Sequence, residues 1–265
     1  KSSAITNALR KCPNPMPFFN KNNILCCIFN ILLYIYSMTQ WTDFQAKLSE
    51  YFHSGQQISF WWREDDVSYD CANLRIVLDV LSKYNVPVLC GAIPKLLTPD
   101  MILTLKQYTN VSVCQHGLFH QNNYTQGHKC EFDTNESLGQ LLIGRDFLQT
   151  TFASQFINVY IPPWNNISKS FKDFLLANGY CAVSAWNYSP DRKRPYNFDV
   201  DLIDWSKSES FEDESFVIRQ ILQCFERNDF HIGIVNHHRT ISKKGVKFIE
   251  KLLAEFSKYP NILSI

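Results

Sequence analysis

The pattern of apolar and polar positions changes character at Met38. From there onward, short apolar runs alternate with segments whose apolar residues recur every three or four positions. The runs read as strands at Gln57–Trp62, Val86–Ile93, Val111–Gln115, Val159–Ile161, Cys181–Trp186, Val200–Trp205, Ile232–Asn236 and Ile262–Ile265. The intervening spacing predicts helices. Trp41–Phe52 stops at Ser54-Gly55, and Cys71–Tyr84 places Leu74, Val77, Leu78 and Leu81 on one face. Pro99 opens a helix that reaches Tyr108, and Ser137–Thr150, Ser168–Asn178, Phe211–Arg227 and Ser242–Tyr259 complete the set. Ser168 has the character of an N-cap, with Gly179 just past the helix end. Strands that are apolar throughout and alternate with helices form a parallel sheet covered on both faces. The expected fold is therefore α/β, a (β/α) barrel of seven or eight parallel strands in a single domain. A doubly wound open sheet is the runner-up. The nine glycines are dispersed and no strand leads into a Gly-rich turn, so a nucleotide cofactor has no support.

Residues 1–37 follow no such rhythm. Lys1 to Asn23 is polar and aperiodic, and Ile24–Tyr36 is apolar but shorter than the roughly 20 residues of a membrane-spanning helix. Lys21 before this run gives it the look of a signal-type leader, without a convincing small-residue cleavage site. The expected division is an N-terminal extension over 1–37, either a leader or a non-native start, and a barrel over 38–265. No stable membrane span is expected.

Composition narrows the partners. The formal charge of +1 over 265 residues, with no basic stripe, speaks against nucleic acid. The nine cysteines show no repeating spacing, and Cys90, Cys114 and Cys181 fall in apolar runs, so free thiols and a cytoplasmic setting are expected.

The polar residues that matter cluster where strands end, which is where a barrel of this kind gathers its chemistry. The first strand runs through Trp61-Trp62 into Arg63-Glu64-Asp65-Asp66. Adjacent carboxylates at the rim of a core call for a cation, either Arg63 or a bound metal. Later strand ends carry His116-Gly117-Leu118-Phe119-His120, then Pro162-Pro163-Trp164-Asn165, Asp204-Trp205 and Asn236-His237-His238. In a helical turn His116 and His120 would share one face and one ion. Asp65 and Asp66 should diverge while the strand persists. One of His237 and His238 should face the barrel mouth, the other being structural. Trp61, Trp62 and Trp186 read as core.

Taken in this order, these residues resemble the polysaccharide deacetylase family, the homology domain of nodulation-type chitooligosaccharide deacetylases. The resemblance spans roughly Ile58 to His238. It implies a distorted (β/α) barrel and a metal-dependent hydrolase that removes an acetyl group from an N-acetylated sugar. By that likeness Asp65 is the general base, and Asp66, His116 and His120 hold a divalent metal, with zinc expected. His237 is the general acid. Pro163, Trp164, Asp204, Trp205, Arg63 and His238 surround a carbohydrate substrate, and a backbone N–H near Trp164 helps stabilise the oxyanion. Two positions depart from the family's pattern. Ile161 stands where the third motif has an Arg, and Gly117 stands where the second has Ser or Thr.

Three other readings remain. A catalytically degenerate barrel would bind sugar without turnover. A metal-free glycoside hydrolase would use two of Glu64, Asp65 and Asp66, although adjacent residues suit its carboxyl separation of about 5 to 9.5 Å poorly. A binding module could hold structural zinc through Cys114, His116, His120, His128 and Cys130, although no CxxC knuckle is present.

Overall fold

The computed structural model describes residues 39–69, 71–124, 127, 129–132, 138–186, 196–206, 211, 213–260 and 262. The expected extension over 1–37 and the terminal strand beyond Ile262 lie outside them.

Seven strands are all parallel: β1 (Ser59–Val67), β2 (Val88–Ala92), β3 (Val111–His116), β4 (Phe156–Ile161), β5 (Ala182–Val183), β6 (Val200–Asp201) and β7 (His231–Asn236). They form one sheet in the order β5-β4-β3-β2-β1-β7-β6. A parallel bridge between Trp186 and Phe198 brings the β5 and β6 sides together, so the sheet curls round into a distorted barrel. Helices cover its outer surface: α1 (residues 39–53), α2 (Ala72–Lys83), α3 (Pro99–Leu105), α4 (Leu138–Phe152), α5 (Lys169–Ala177), α6 (Glu214–Glu226) and α7 (Lys243–Phe256). Polar side chains start several of them. Ser168 Oγ accepts from the Phe171 N–H at 3.1 Å and Ser242 Oγ from the Gly245 N–H at 3.2 Å.

Alternation along β1 sorts its side chains. Phe60 and Trp62 point outward into the main core beneath the helices, while Trp61 joins Leu89, Cys114, Val159 and Ile161 in a smaller cluster inside the barrel. Gly233, opposite Trp61 on β7, makes room for that indole, since a Cβ there would lie 2.6 Å from Trp61 Cζ2. Several expected boundaries shift, among them that of Val200–Trp205, whose strand ends at Asp201. Strand β1 does not stop at Trp62 but continues through Val67, because β7 pairs with it up to Glu64↔Asn236. Cys181 is exposed, since it precedes the two-residue β5 and is not inside a strand.

Candidate active site

Asp65 and Asp66 sit at the C-terminal end of β1, His116 ends β3, and His237 follows β7. Strict alternation would send Asp65 and Asp66 to opposite faces, yet both line the same cleft. The reason is local. The β1–β2 register is irregular between Glu64 and Val67, and Asp66 takes φ 63, a left-handed conformation that turns its side chain inward. Seven non-glycine residues among those described have positive φ; four of them, Asp66, His120, Trp164 and Asn165, line this cleft. Backbone strain of this kind persists only where surrounding contacts hold it.

Asp66 Oδ1 lies 3.2 Å from His116 Nε2 and 3.2 Å from His120 Nε2. The segment linking the histidines is not helical as expected. His116 is the last strand residue, and Gly117 (φ 61) and His120 (φ 55) turn the chain back on itself. The His116 Nδ1–H donates to the Ile161 carbonyl at 3.1 Å, which leaves Nε2 to face Asp66. Burial alone would raise the Asp66 carboxyl, but His116, His237 and His120 outweigh it and hold the group far below the carboxylate range. Burial, reinforced by His116, pushes His120 down to about 4, so its ring is neutral near pH 7 and free to ligate. The three donor atoms lie within 4.8 Å of one another, the only such group among the described residues. Two imidazole nitrogens and a carboxylate on one side of a cleft fit an open divalent metal site.

Ile161 gives Asp65 no cation from β4, and the cation beside it is Arg63 of β1. It is fully buried, and its Nη2 meets Asp65 Oδ2 at 2.6 Å and donates to Asn165 Oδ1 at 2.7 Å. Its Nη1 donates to Ser184 Oγ at 2.9 Å, and its guanidinium carbon lies 4.4 Å from the Phe198 ring centroid. A cation from β1 itself thus reaches the aspartate where the resembled motif brings one from β4. Burial would raise the Asp65 carboxyl, but Arg63 and the nearby histidines keep it below its usual value, an anion. Asp65 Oδ1 is buried with no hydrogen-bond partner among the described residues. An orphaned carboxylate oxygen beside Asp66, His116 and His120 fits a group held between them.

His237 Nε2 stands 3.8 Å from Asp65 Oδ2, and the Trp205 ring packs edge-on against it at 4.8 Å. Trp164 packs 4.6 Å from the His120 ring on the other side. The cleft has a volume of about 630 Å³, and Trp186, Phe198, Phe216 and Lys129 line it further out.

Several expected substrate contacts are placed elsewhere. Arg63, with no exposed surface, supports Asp65 from behind. His238 faces away from the cleft: its Nδ1 lies 3.1 Å from Glu64 Oε1, and Glu64 also accepts from Asn236 Nδ2 at 2.9 Å. Pro163 is buried behind Trp164. Asp204 accepts from the Ser206 N–H at 3.2 Å and does not line the cleft. The carboxylate there is Asp201, three residues earlier, whose Oδ2 accepts from Trp205 Nε1 at 2.9 Å. Burial raises the Asp201 carboxyl even with His237 nearby. Trp186, read as core, borders the cleft. Ser184, Asp201 and Glu131 stand in none of the motifs, and Asn165 has no role assigned in its motif, because each is a common polar residue that only the fold brings into place.

The glycoside-hydrolase and structural-zinc readings each lose residues they need. Glu64 is committed to His238 and Asn236, away from the cleft, so it cannot pair with Asp65 across a glycosidic bond. Cys114 lies inside the barrel and Cys130 Sγ points at the Phe132 and Asn166 carbonyls, so neither joins the two histidines; His128 lies outside the described residues.

No family model and no curated protein matches the chain. Solved structures do. A peptidoglycan N-acetylglucosamine deacetylase superposes with a TM-score of 0.54 at 14% identity, covering 76% of this chain and 83% of that one. A family 4 carbohydrate esterase from Bacillus anthracis gives 0.51 at 14%, covering 77% of each chain. A mutant pseudoenzyme of the same esterase family, with activity restored, gives 0.52 at 12%, covering 76% of this chain and 63% of that one. At such identities the likeness speaks to the fold, and the fold is that of the polysaccharide deacetylases.

Proposed function

We propose that the chain is a metal-dependent hydrolase that removes an acetyl group from an N-acetylated sugar or a related amide. The observation that carries this reading is the convergence of Asp66, His116 and His120 on one point, with Asp65 and His237 beside it and 3.8 Å apart. A divalent cation held there, with zinc the expected ion, would supply Lewis acidity, polarising an acyl carbonyl and making water nucleophilic near neutral pH.

The chain's own groups do the rest. Asp65, kept anionic by Arg63, takes a proton on its unpartnered Oδ1 as water attacks the carbonyl. His237 holds a proton on Nε2 and gives it to the departing amine, while Trp205 fixes the ring and the Asp201 carboxylate stands nearby. Trp164 borders the cleft in a left-handed turn, and its backbone N–H is the donor assigned here to the developing oxyanion. Trp164, Trp205 and Trp186 provide flat apolar faces of the kind that suit a sugar ring.

The test is elemental analysis of the full chain beside Asp66→Ala and His120→Ala, followed by acetate release from N-acetylated glucosamine oligomers. About one metal per chain, lost in both variants, with acetate released by the parent alone, is the expected outcome. Metal without acetate release would favour a barrel that binds sugar without turnover. A parent that takes up no zinc after repletion would end the reading.

A further inference from the structure

The two candidate metal-ligand histidines flank one short turn, whose Gly117 N–H donates to the Ile161 carbonyl at 3.2 Å and whose Gly117 and Leu118 carbonyls accept from Gln115 Nε2 at 3.0 Å and the Lys95 N–H at 3.1 Å. Gly117 and His120 are both left-handed, so the N–H groups of Leu118 and Phe119 make no helical or ladder bonds. They point instead at a single side chain. Glu131 Oε2 accepts from the Leu118 N–H at 3.1 Å and Oε1 from the Phe119 N–H at 2.7 Å. Glu131 is only 2% exposed, and its own segment is tied down. Asn123 Nδ2 donates to the Glu131 carbonyl at 2.8 Å, and the Cys130 N–H donates to Asn122 Oδ1 at 3.1 Å. The carboxylate also fills the space beside Gly117. A Cβ at that position would overlap Glu131 Oε2 and lie 2.7 Å from Pro163 Cγ.

We infer that Glu131 is a positioning residue for the metal site, setting through the turn's backbone where His120 meets Asp66. This rests on the metal-hydrolase reading above. It also explains why position 117 carries no side chain, where the resembled motif has Ser or Thr. The carboxylate occupies that space and serves the two N–H groups. Partners behind metal ligands are commonly worth 10–100-fold in affinity. Glu131→Gln keeps the volume but turns one acceptor into a donor facing an N–H. Gly117→Ala crowds the same carboxylate and leaves its chemistry intact.

The experiment measures zinc affinity of the full chain by chelator competition, with cobalt(II) absorption reporting ligand geometry. Parent, Glu131→Gln, Gly117→Ala and Ser242→Ala are compared, each also unfolded in urea. Ser242 caps α7, so its substitution lowers the urea midpoint without touching the site. The expected result is roughly 10–100-fold weaker zinc binding and an altered cobalt spectrum in Glu131→Gln and Gly117→Ala, with Ser242→Ala equal to the parent. Parent-like affinity and spectrum in Glu131→Gln would overturn the positioning role and leave the metal site standing. Equal weakening in Ser242→Ala would reduce Glu131 to general stability. A parent without zinc would remove the metal reading and this inference together.

Discussion

At the scale of single residues, Arg63 sets where the Asp65 carboxylate is held. Its guanidinium spends separate donors on Asp65, Asn165 and Ser184, so it ties β1, the Pro163–Asn165 turn and the β5 end to one point. Lysine has the charge but not the fork. Arg63→Lys should fold and bind metal, yet lose acetate release by on the order of a hundredfold through a misplaced Asp65. Arg63→Met leaves a buried carboxylate uncompensated and should cost about 3–5 kcal/mol, read from urea unfolding. The sequence carried part of this. It marked Arg63 as one compensator for the paired aspartates, but not that its three partners lie 2, 102 and 121 positions away.

At the scale of elements, the ends of β1 and β7 are clasped by Glu64 and His238. Glu64 accepts from the His238 backbone N–H at 2.7 Å and from Asn236 Nδ2, and its Oε1 faces His238 Nδ1 at 3.1 Å. Burial disfavours the charged imidazole, but the Cys71 thiol and the Glu64 carboxylate outweigh it and raise its pKa to about 9. A folded-state pKa above the unfolded value near 6.5 stabilises the protein fully below that value, and the contribution is lost as pH rises through about 9. Metal-free protein should therefore lose up to roughly 3 kcal/mol between these limits, followed by urea midpoints across pH. His238→Gln should flatten that slope. A slope unchanged in the variant would assign it to another group. The double histidine was visible in the chain; which ring faced the cleft followed from the register of β1 against β7.

At the scale of the whole molecule, the ends of β1, β3, β4, β6 and β7 and the turn after His116 meet at one mouth, and a metal held by Asp66, His116 and His120 would link the end of β1 to the end of β3 and its turn. A ligand that binds only the folded state stabilises it by about 2.7 kcal/mol at a hundredfold excess over Kd. Zinc should accordingly raise the thermal midpoint of the parent by several degrees, reversed by chelator, and leave His120→Ala unmoved. An equal rise in His120→Ala would place the ion elsewhere.

Element order and the parallel barrel were legible because apolar periodicity is a local property that tertiary packing here reinforces, and the Asp66, His116 and His120 cluster was proposed from a resemblance of motifs. The triad residues were recognisable by type and place at the strand ends. Their shared focus depends on the bulge at Asp66 and the left-handed turn at Gly117, which no local propensity announces. Asp201 displaced Asp204 for a similar reason: Trp205 Nε1 reaches back to the earlier carboxylate, and only the folded turn shows which one is near. Glu131 lies outside every recognisable motif, since its role comes from two backbone N–H groups that the chain left unpaired 12 and 13 residues earlier. Periodicity specifies which faces are buried; the direction of a single side chain at a strand's end is decided by long-range hydrogen bonds and close packing, and those exist only once the barrel has closed.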